Sequence, residues 1–346
     1  MPRAFEGESV STMIKAVSWD GDALVLLDQT LIPVEERYIR YQESESIIDA
    51  IKRLVVRGAP AIGVAGAFAV VIAMDEAETK AWSSLELEKR IDEIRDARPT
   101  AVNLAWAVER VRKFVSHGRE AVLEEAMKVA EEDRVSGDEM GRIGADWLIE
   151  RLGKKPLTLL THCNTGSLAT TSIGTALGVI REMHNRGAVK EVYADETRPL
   201  LQGSRLTAWE LMKSNIPYRI QPDGAAALAI LSGRIDAALI GADRIAKNGD
   251  SANKIGSLAV ALACHEAGIP FLVVAPESTV DRSKPDGSSI HIEIRSDEEL
   301  THFKGVQVAP LDAKTYNPAF DVTPAKYISA VITEVKAYEI AKGETL

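Results

Sequence analysis

Two patterns of apolar and polar positions divide this chain. Up to about residue 150 the spacing is mostly helical. Residues 15–19, 23–28 and 36–41 alternate or run apolar around the turn Asp20-Gly21-Asp22, which predicts a small antiparallel sheet. Residues 44–56 space Ile47, Ile48, Ile51, Leu54 and Val55 on one helical face, with Ser44 or Ser46 as the cap. Arg57-Gly58-Ala59-Pro60 breaks that helix, and Pro60 suits the first turn of the next. Helical patterns continue over residues 85–97, 101–116, 119–134 and 138–152, the first of them stopping at Arg98-Pro99.

From residue 157 apolar strand patterns alternate with helical ones. Strands are expected at 157–161, 191–194, 218–220, 237–240 and 271–275, and helices at 170–183, 200–213, 224–232 and 254–267. A later strand is expected at 291–294. A final helix over 325–338 would open at Thr323-Pro324. Strand–helix alternation with short links predicts an α/β fold with a doubly wound parallel sheet. The chain therefore divides into a smaller N-terminal domain of antiparallel strands and helices (residues 1–135) and an α/β domain (136–346). Residues 1–12 read as a loose polar tail.

Composition adds limits. Of 346 residues, 46% are hydrophobic and 27% charged, enough for a proper core under an ordinary surface. A net charge of −10 argues against nucleic acid or an anionic membrane as partner, though not against a local basic pocket. Two distant cysteines give neither a disulfide framework nor a CxxC pattern, as in a reducing cytosol. The start lacks a signal-peptide core, and the apolar run 59–73, interrupted by Pro60, Gly63 and Gly66, is too short for a bilayer and reads as a buried helix. The expectation is a cytoplasmic chain.

Candidate chemistry sits at strand ends. Cys163 follows strand 157–161, and Asp243 follows strand 237–240. In doubly wound sheets ligands bind at carboxyl ends of strands where the order reverses, so neighbouring first and fourth strands would bring the two into one crevice. A thiol and a carboxyl there form an acid/base pair if the environment separates their proton affinities. A lone buried cysteine also packs as a small hydrophobe, and an aspartate there also forms turns. Helix N-termini after Cys163 and at Pro60 would offer free N–H groups to an anion such as phosphate. Arg57 and Gly58 border the second. Arg98 ends a helix, Asn253-Lys254 opens one just past Asp243, and Gln202-Gly203-Ser204 interrupts a helical pattern as a contact to a ligand hydroxyl would. Cys264 belongs to the core, and His162 points away from Cys163. Six scattered histidines show no metal signature, and no GxGxxG or Walker pattern is present, so neither metal nor nucleotide is expected.

Seven stretches carry a resemblance: VRGAPAIGVAGAFA, ARPTAVNLAWA, LTHCNTGSLAT, DETRPLLQGSRLTAWEL, IGADRIAKNGDSANKIG, GIPFLVVAP and YNPAFDVTP. Together, in this order, they resemble the methylthioribose-1-phosphate isomerase family of methionine salvage, within the translation initiation factor 2B superfamily. The resemblance runs from about Ile14 onward. It implies a Rossmann-like C-terminal domain behind a smaller N-terminal one, a homodimer, and no metal or nicotinamide cofactor. It implies Cys163 and Asp243 as catalytic residues and Arg57, Gly58, Ala59, Arg98, Gln202, Asn253 and Lys254 as substrate-binding ones. The reaction implied is 5-methylthioribose 1-phosphate to 5-methylthioribulose 1-phosphate. Alternatives are an isomerase of ribose 1,5-bisphosphate or 5-deoxyribose 1-phosphate, and a non-enzymatic regulatory subunit of initiation factor 2B. The retained Cys163 and Asp243 argue against the last.

Overall fold

A computed structural model describes residues 14–98 and 102–346. The expected tail, Pro99 and the start of the 101–116 pattern lie outside the described residues. Strands β1 (Val17–Asp20), β2 (Ala23–Leu27) and β3 (Tyr38–Tyr41) form the expected antiparallel sheet in that order. Helix α1 (Ser44–Lys52) follows. Its cap position is Glu43, not a serine. The Ser44 backbone N–H and hydroxyl both donate to the buried Glu76 carboxylate instead.

Helix α2 (Ala59–Thr79) is longer than its apolar core suggested. Its 21 residues would suffice by length and composition to cross a membrane, yet 83% of its apolar window is buried inside the fold. It is packed by α3 (Ser84–Arg95), α4 (Val102–Arg112) and α5 (Arg119–Leu152). The patterns 119–134 and 138–152 are one helix of 34 residues. Gly137, whose helical penalty is about 1 kcal/mol against alanine, faces the Ser172 side chain there, and packing overrides propensity. The division expected at residue 135 falls inside α5.

The sheet strands are β4 (Leu157–Thr161), β5 (Val189–Asp195), β6 (Tyr218–Gln221) and β7 (Ala237–Ile240), all where the pattern put them. Between them lie α6 (Ala176–Asn185), α7 (Ala208–Lys213) and α8 (Ala226–Leu231). Then come β8 (Arg244–Ala246), β9 (Ser251–Lys254), α9 (Ser257–Ala267), β10 (Phe271–Val274) and β11 (Val280–Asp281). Helix α10 (Glu298–Thr301), the ribbon β12 (His302–Phe303) and β13 (Val306–Gln307), β14 (Phe320–Thr323), β15 (Ala330–Ile332) and β16 (Ala337–Tyr338) close the chain.

The main sheet has the order β16-β15-β10-β7-β4-β5-β6, parallel except for β16. This is the α/β architecture expected. First and fourth strands β4 and β7 are neighbours, so the order reverses beside them. A second sheet, β11-β8-β9-β14, stands over their carboxyl ends, and the sequence reading missed it.

Three expectations fail. The final helix over 325–338 is a short 3-10 turn followed by β15 and β16. A short apolar run satisfies both periods, and the β-branched Val331-Ile332-Thr333 is buried in the sheet, where strand geometry suits it. Residues 291–294 form no strand, only a bridge from Ile294 to Pro318. The segment 170–175 is not helical, because its hydroxyls bond nearby backbone: Thr170 Oγ1 accepts from Ser172 N at 3.1 Å, and Thr165 Oγ1 accepts from Leu177 N at 3.1 Å.

Candidate active site

One cleft at the carboxyl ends of β4 and β7 is lined by every candidate residue: Arg57, Gly58, Ala59, Arg98, Cys163, Gln202, Asp243, Asn253 and Lys254. It encloses about 820 Å³ of space free of protein atoms, its open mouth included.

Cys163 ends the sheet in a left-handed conformation, φ 64°. For a non-glycine residue this costs on the order of 1–3 kcal/mol. The position is held on both sides: its N–H donates to Thr197 Oγ1 at 2.9 Å, and its carbonyl accepts from Thr207 Oγ1 at 2.6 Å. Arg57 crosses from the N-terminal half. Its Nη2 lies 3.7 Å from Cys163 Sγ, and its Nη1 donates to Asn164 Oδ1 at 2.9 Å. A guanidinium there sets a positive charge beside the sulfur.

Behind Cys163 the loop is organised by Glu210 of α7, which is fully buried. Its two oxygens accept from Asn164 Nδ2 at 2.8 Å, Ser167 N at 2.7 Å, Leu168 N at 3.3 Å and Arg181 Nη2 at 2.7 Å.

Asp243 lies in the turn between β7 and β8, where its N–H donates to the Ala252 carbonyl at 2.9 Å. It is partly open to the cleft and walled by protein elsewhere. Burial raises its pKa above the ordinary carboxylate value, against the opposing charges of Lys254, Arg57 and Arg98. It is thus disposed to be an acid. Asn253 and Lys254 end β9 rather than opening a helix, since α9 starts only at Ser257. Lys254 Nζ donates to the Ala319 carbonyl at 2.9 Å and lies 4.1 Å from the Phe320 ring centre. Burial lowers its pKa, opposed by the charges of Cys163 and Asp243. Burial likewise lowers that of Arg98.

The anion site expected after Cys163 is not at a helix start. Helix α6 begins at Ala176, and Thr165 already accepts the Leu177 N–H. The helix start that borders the cleft is instead the N-terminus of α2, at Gly58, Ala59 and Pro60. Gly58 there has φ 89°, and a Cβ on it would stand 2.5 Å from Ala169, so only glycine lets the two loops approach. Gln202 precedes a π-helical turn, Gly203–Thr207, which is the interruption seen in the pattern. Its Oε1 is buried without a hydrogen-bond partner among the described residues.

Sequence reasoning missed Arg295 and Phe320, which also line the cleft. Phe320 lies within the stretch YNPAFDVTP but was given no role there, and Arg295 lies outside the seven stretches. Arg295 is paired with Glu293 and Glu299, so it is the least available of the four cations. Glu210 was missed too, although a glutamate inside AWELM is an anomaly that could have flagged it. Cys264 is core as expected, its thiol pushed up to about 12 by burial. His162 does not line the cleft. Its ring forms a cluster with Asp195 and Asp223. Both carboxylates there already accept N–H groups, Asp195 from Gln221 at 2.8 Å and Asp223 from Thr197 and Arg198 at 2.8 and 2.6 Å. That is the pattern of an ion-pair network rather than a metal cage.

Comparison with known proteins gives the following. The description "Initiation factor 2 subunit family" matches residues 55–339. A methylthioribose-1-phosphate isomerase of Trichlorobacter lovleyi is 47% identical, over 95% of this chain and 96% of its own. A probable bifunctional methylthioribose-1-phosphate isomerase/methylthioribulose-1-phosphate dehydratase of Nocardia farcinica is 52% identical over 92% of this chain, which spans only 58% of that relative. Among solved structures, 5-methylthioribose 1-phosphate isomerase from Pyrococcus horikoshii superposes with TM-score 0.85 at 39% identity, covering 95% and 93% of the two chains. The delta subunit of translation initiation factor eIF-2B from A. fulgidus gives TM-score 0.81 at 39% identity, covering 94% and 96%.

Proposed function

We propose, from the premise that this chain belongs to the initiation factor 2 subunit family and to its methylthioribose-1-phosphate isomerases, that it converts 5-methylthioribose 1-phosphate to 5-methylthioribulose 1-phosphate in methionine salvage. The observation that carries the proposal is the meeting of Cys163 and Asp243 with Arg57, Arg98 and Lys254 in one cleft.

The substrate is an aldose whose anomeric oxygen carries phosphate, so it cannot open to a free aldehyde. The ring must open with the phosphate attached, and hydrogen must then move between C2 and C1. Asp243, its pKa raised by burial, donates to the ring oxygen. Cys163 acts at C1/C2 as base or steering group, with Arg57 beside its sulfur. The phosphate is held by Arg57, Arg98, Lys254 and the backbone N–H groups of Gly58 and Ala59, and it orients the ring. Gln202 Oε1 accepts from a sugar hydroxyl. Leu54, Ile62, Leu200 and Phe320 supply the apolar wall for the methylthio end. They also exclude water, which suits hydride transfer over an enediol, because water would quench a cationic intermediate. The chain acts as a cytoplasmic homodimer, for which light scattering would read twice the chain mass.

The test is turnover by the purified chain on 5-methylthioribose 1-phosphate beside ribose 1,5-bisphosphate and 5-deoxyribose 1-phosphate, following ketose formation. Preference for the methylthio sugar is expected. Preference for another sugar moves the pathway. No turnover on any of the three favours the regulatory-subunit reading, which the A. fulgidus neighbour keeps in view.

A further inference from the structure

His162 precedes Cys163 but faces the other side of β4, where it is 1% exposed. Both of its ring nitrogens meet acceptors. Nδ1 lies 3.0 Å from Asp195 Oδ2, and Nε2 lies 2.9 Å from the Ile255 carbonyl. A carbonyl can only accept, so Nε2 carries a proton. Burial raises the Asp195 pKa, against the hydrogen bonds from His162 and Gln221 and the charge of His162; with Gln221 donating to Oδ1, Nδ1 is placed as a second donor to Oδ2. Ile255 follows Lys254 in the turn between β9 and α9. The next residue, Gly256, has φ 108°, and a Cβ there would stand 2.7 Å from the His162 ring. The imidazole is thus seated directly beneath that turn.

We propose that His162 is a positioning residue for the cleft: an imidazolium bridging Asp195 and the Ile255 carbonyl, it fastens the turn that carries Lys254 to the strand end that carries Cys163. This rests on the reading of the cleft as the isomerase site. Asp321 holds the opposite edge of the turn, accepting from Gly256 N at 2.7 Å and Leu258 N at 3.1 Å. The turn is therefore pinned from two sides, one by a group that titrates.

The charged groups facing His162 are Asp195 from β5, Asp223 after β6, with Oδ1 4.0 Å from Nδ1, and Asp321 from β14. Lys254 is carried on the turn itself. Burial opposes the charge on His162, but the hydrogen bond and charge of Asp195, with Asp223 beyond it, outweigh this and raise its pKa. A raised histidine pKa means that the clamp is complete below the ordinary histidine range and is lost as pH rises through the folded-state value. After deprotonation one of the two acceptors faces a lone pair.

The test uses the full chain and two variants that do not titrate. His162→Asn keeps an amide toward Asp195 but cannot reach Ile255, and His162→Gln can reach Ile255. Loss of one hydrogen bond from a charged donor amounts to roughly tenfold or more. KM for 5-methylthioribose 1-phosphate is expected to rise about that much in His162→Asn, to stay near wild type in His162→Gln, and to climb at alkaline pH in the wild type only. Amide hydrogen exchange over residues 251–258, read by mass spectrometry, tests the clamp without turnover. It is expected to speed up in His162→Asn and, after correction for intrinsic rates, in the wild type above its transition. Unchanged exchange and KM in folded His162→Asn would overturn the proposal. If that variant does not fold, a flat corrected exchange profile across pH in the wild type would do so. Absence of wild-type turnover would instead count against the isomerase reading and leave the exchange result standing.

Discussion

Replacing Glu210 by glutamine tests how the Cys163 loop is held. The carboxylate serves four donors with two oxygens, Asn164 and Leu168 on one, Ser167 and Arg181 on the other. A glutamine has a single oxygen and turns its amide N–H groups toward the remaining two donors. Two bonds to a charged acceptor are lost, at about 1.5–3 kcal/mol each. Removing one partner of a buried ion pair gives a similar total, about 3–5 kcal/mol. At roughly 2.1 cal/mol/K of unfolding entropy per residue, a chain of 346 residues loses Tm by about 6 °C for 4 kcal/mol. Calorimetry of Glu210→Gln reads the shift. Iodoacetamide labelling reads the loop: Cys163 should react faster than in the wild type, with the core thiol of Cys264 as internal control. A Tm within 1 °C of wild type and an unchanged Cys163 rate would refute this account of the loop.

Cys163→Ser and Asp243→Asn should each cut turnover roughly 10²–10⁴-fold while the protein stays folded; near-normal turnover in a folded variant would remove that residue from the proposed mechanism. Because burial raises the Asp243 pKa, its active protonated form is lost as pH rises through the folded value, so kcat should fall on the alkaline side. Stability should fall over the range leading up to that value, from the ordinary carboxylate pKa to the folded one, since the folded state binds the proton more tightly than the unfolded one, and Asp243→Asn should remove that dependence in pH-resolved denaturation. Gly58→Ala has no room beside Ala169 and sits at φ 89°, so it should lower Tm and raise KM; a wild-type KM would displace the α2 terminus as the anion site.

Much of this was legible in the chain. The strands β4, β7 and β10 were read from apolar runs because burial on both faces leaves an unmistakable signature, whereas β5 is buried only over its second half and the edge strand β6 is largely exposed. Cys163 and Asp243 were found because each closes such a run, and topology then put the runs side by side. The small sheet β11-β8-β9-β14 was not legible. Ser251-Ala252-Asn253-Lys254 has neither alternation nor β-branched residues, and it is a strand because β8 and β14 hold it. The non-helical start of the expected helix 170–183 was hidden for a related reason. Its small residues have helical spacing, but their hydroxyls satisfy backbone groups locally. Glu210 and His162 went unassigned because their partners are 29 to 93 residues away.

The apolar cluster under α2 has a consequence for synthesis of the chain. It is completed not only by α5 but by Leu168, Leu206 and Trp209, contributed from beyond β4. At about 5–20 residues per second, a ribosome needs on the order of ten seconds to go from the end of α2 to Trp209. Throughout that interval the emerging N-terminal half carries an unfinished apolar face. The nascent chain should therefore draw on chaperones until the α7 region clears the exit tunnel.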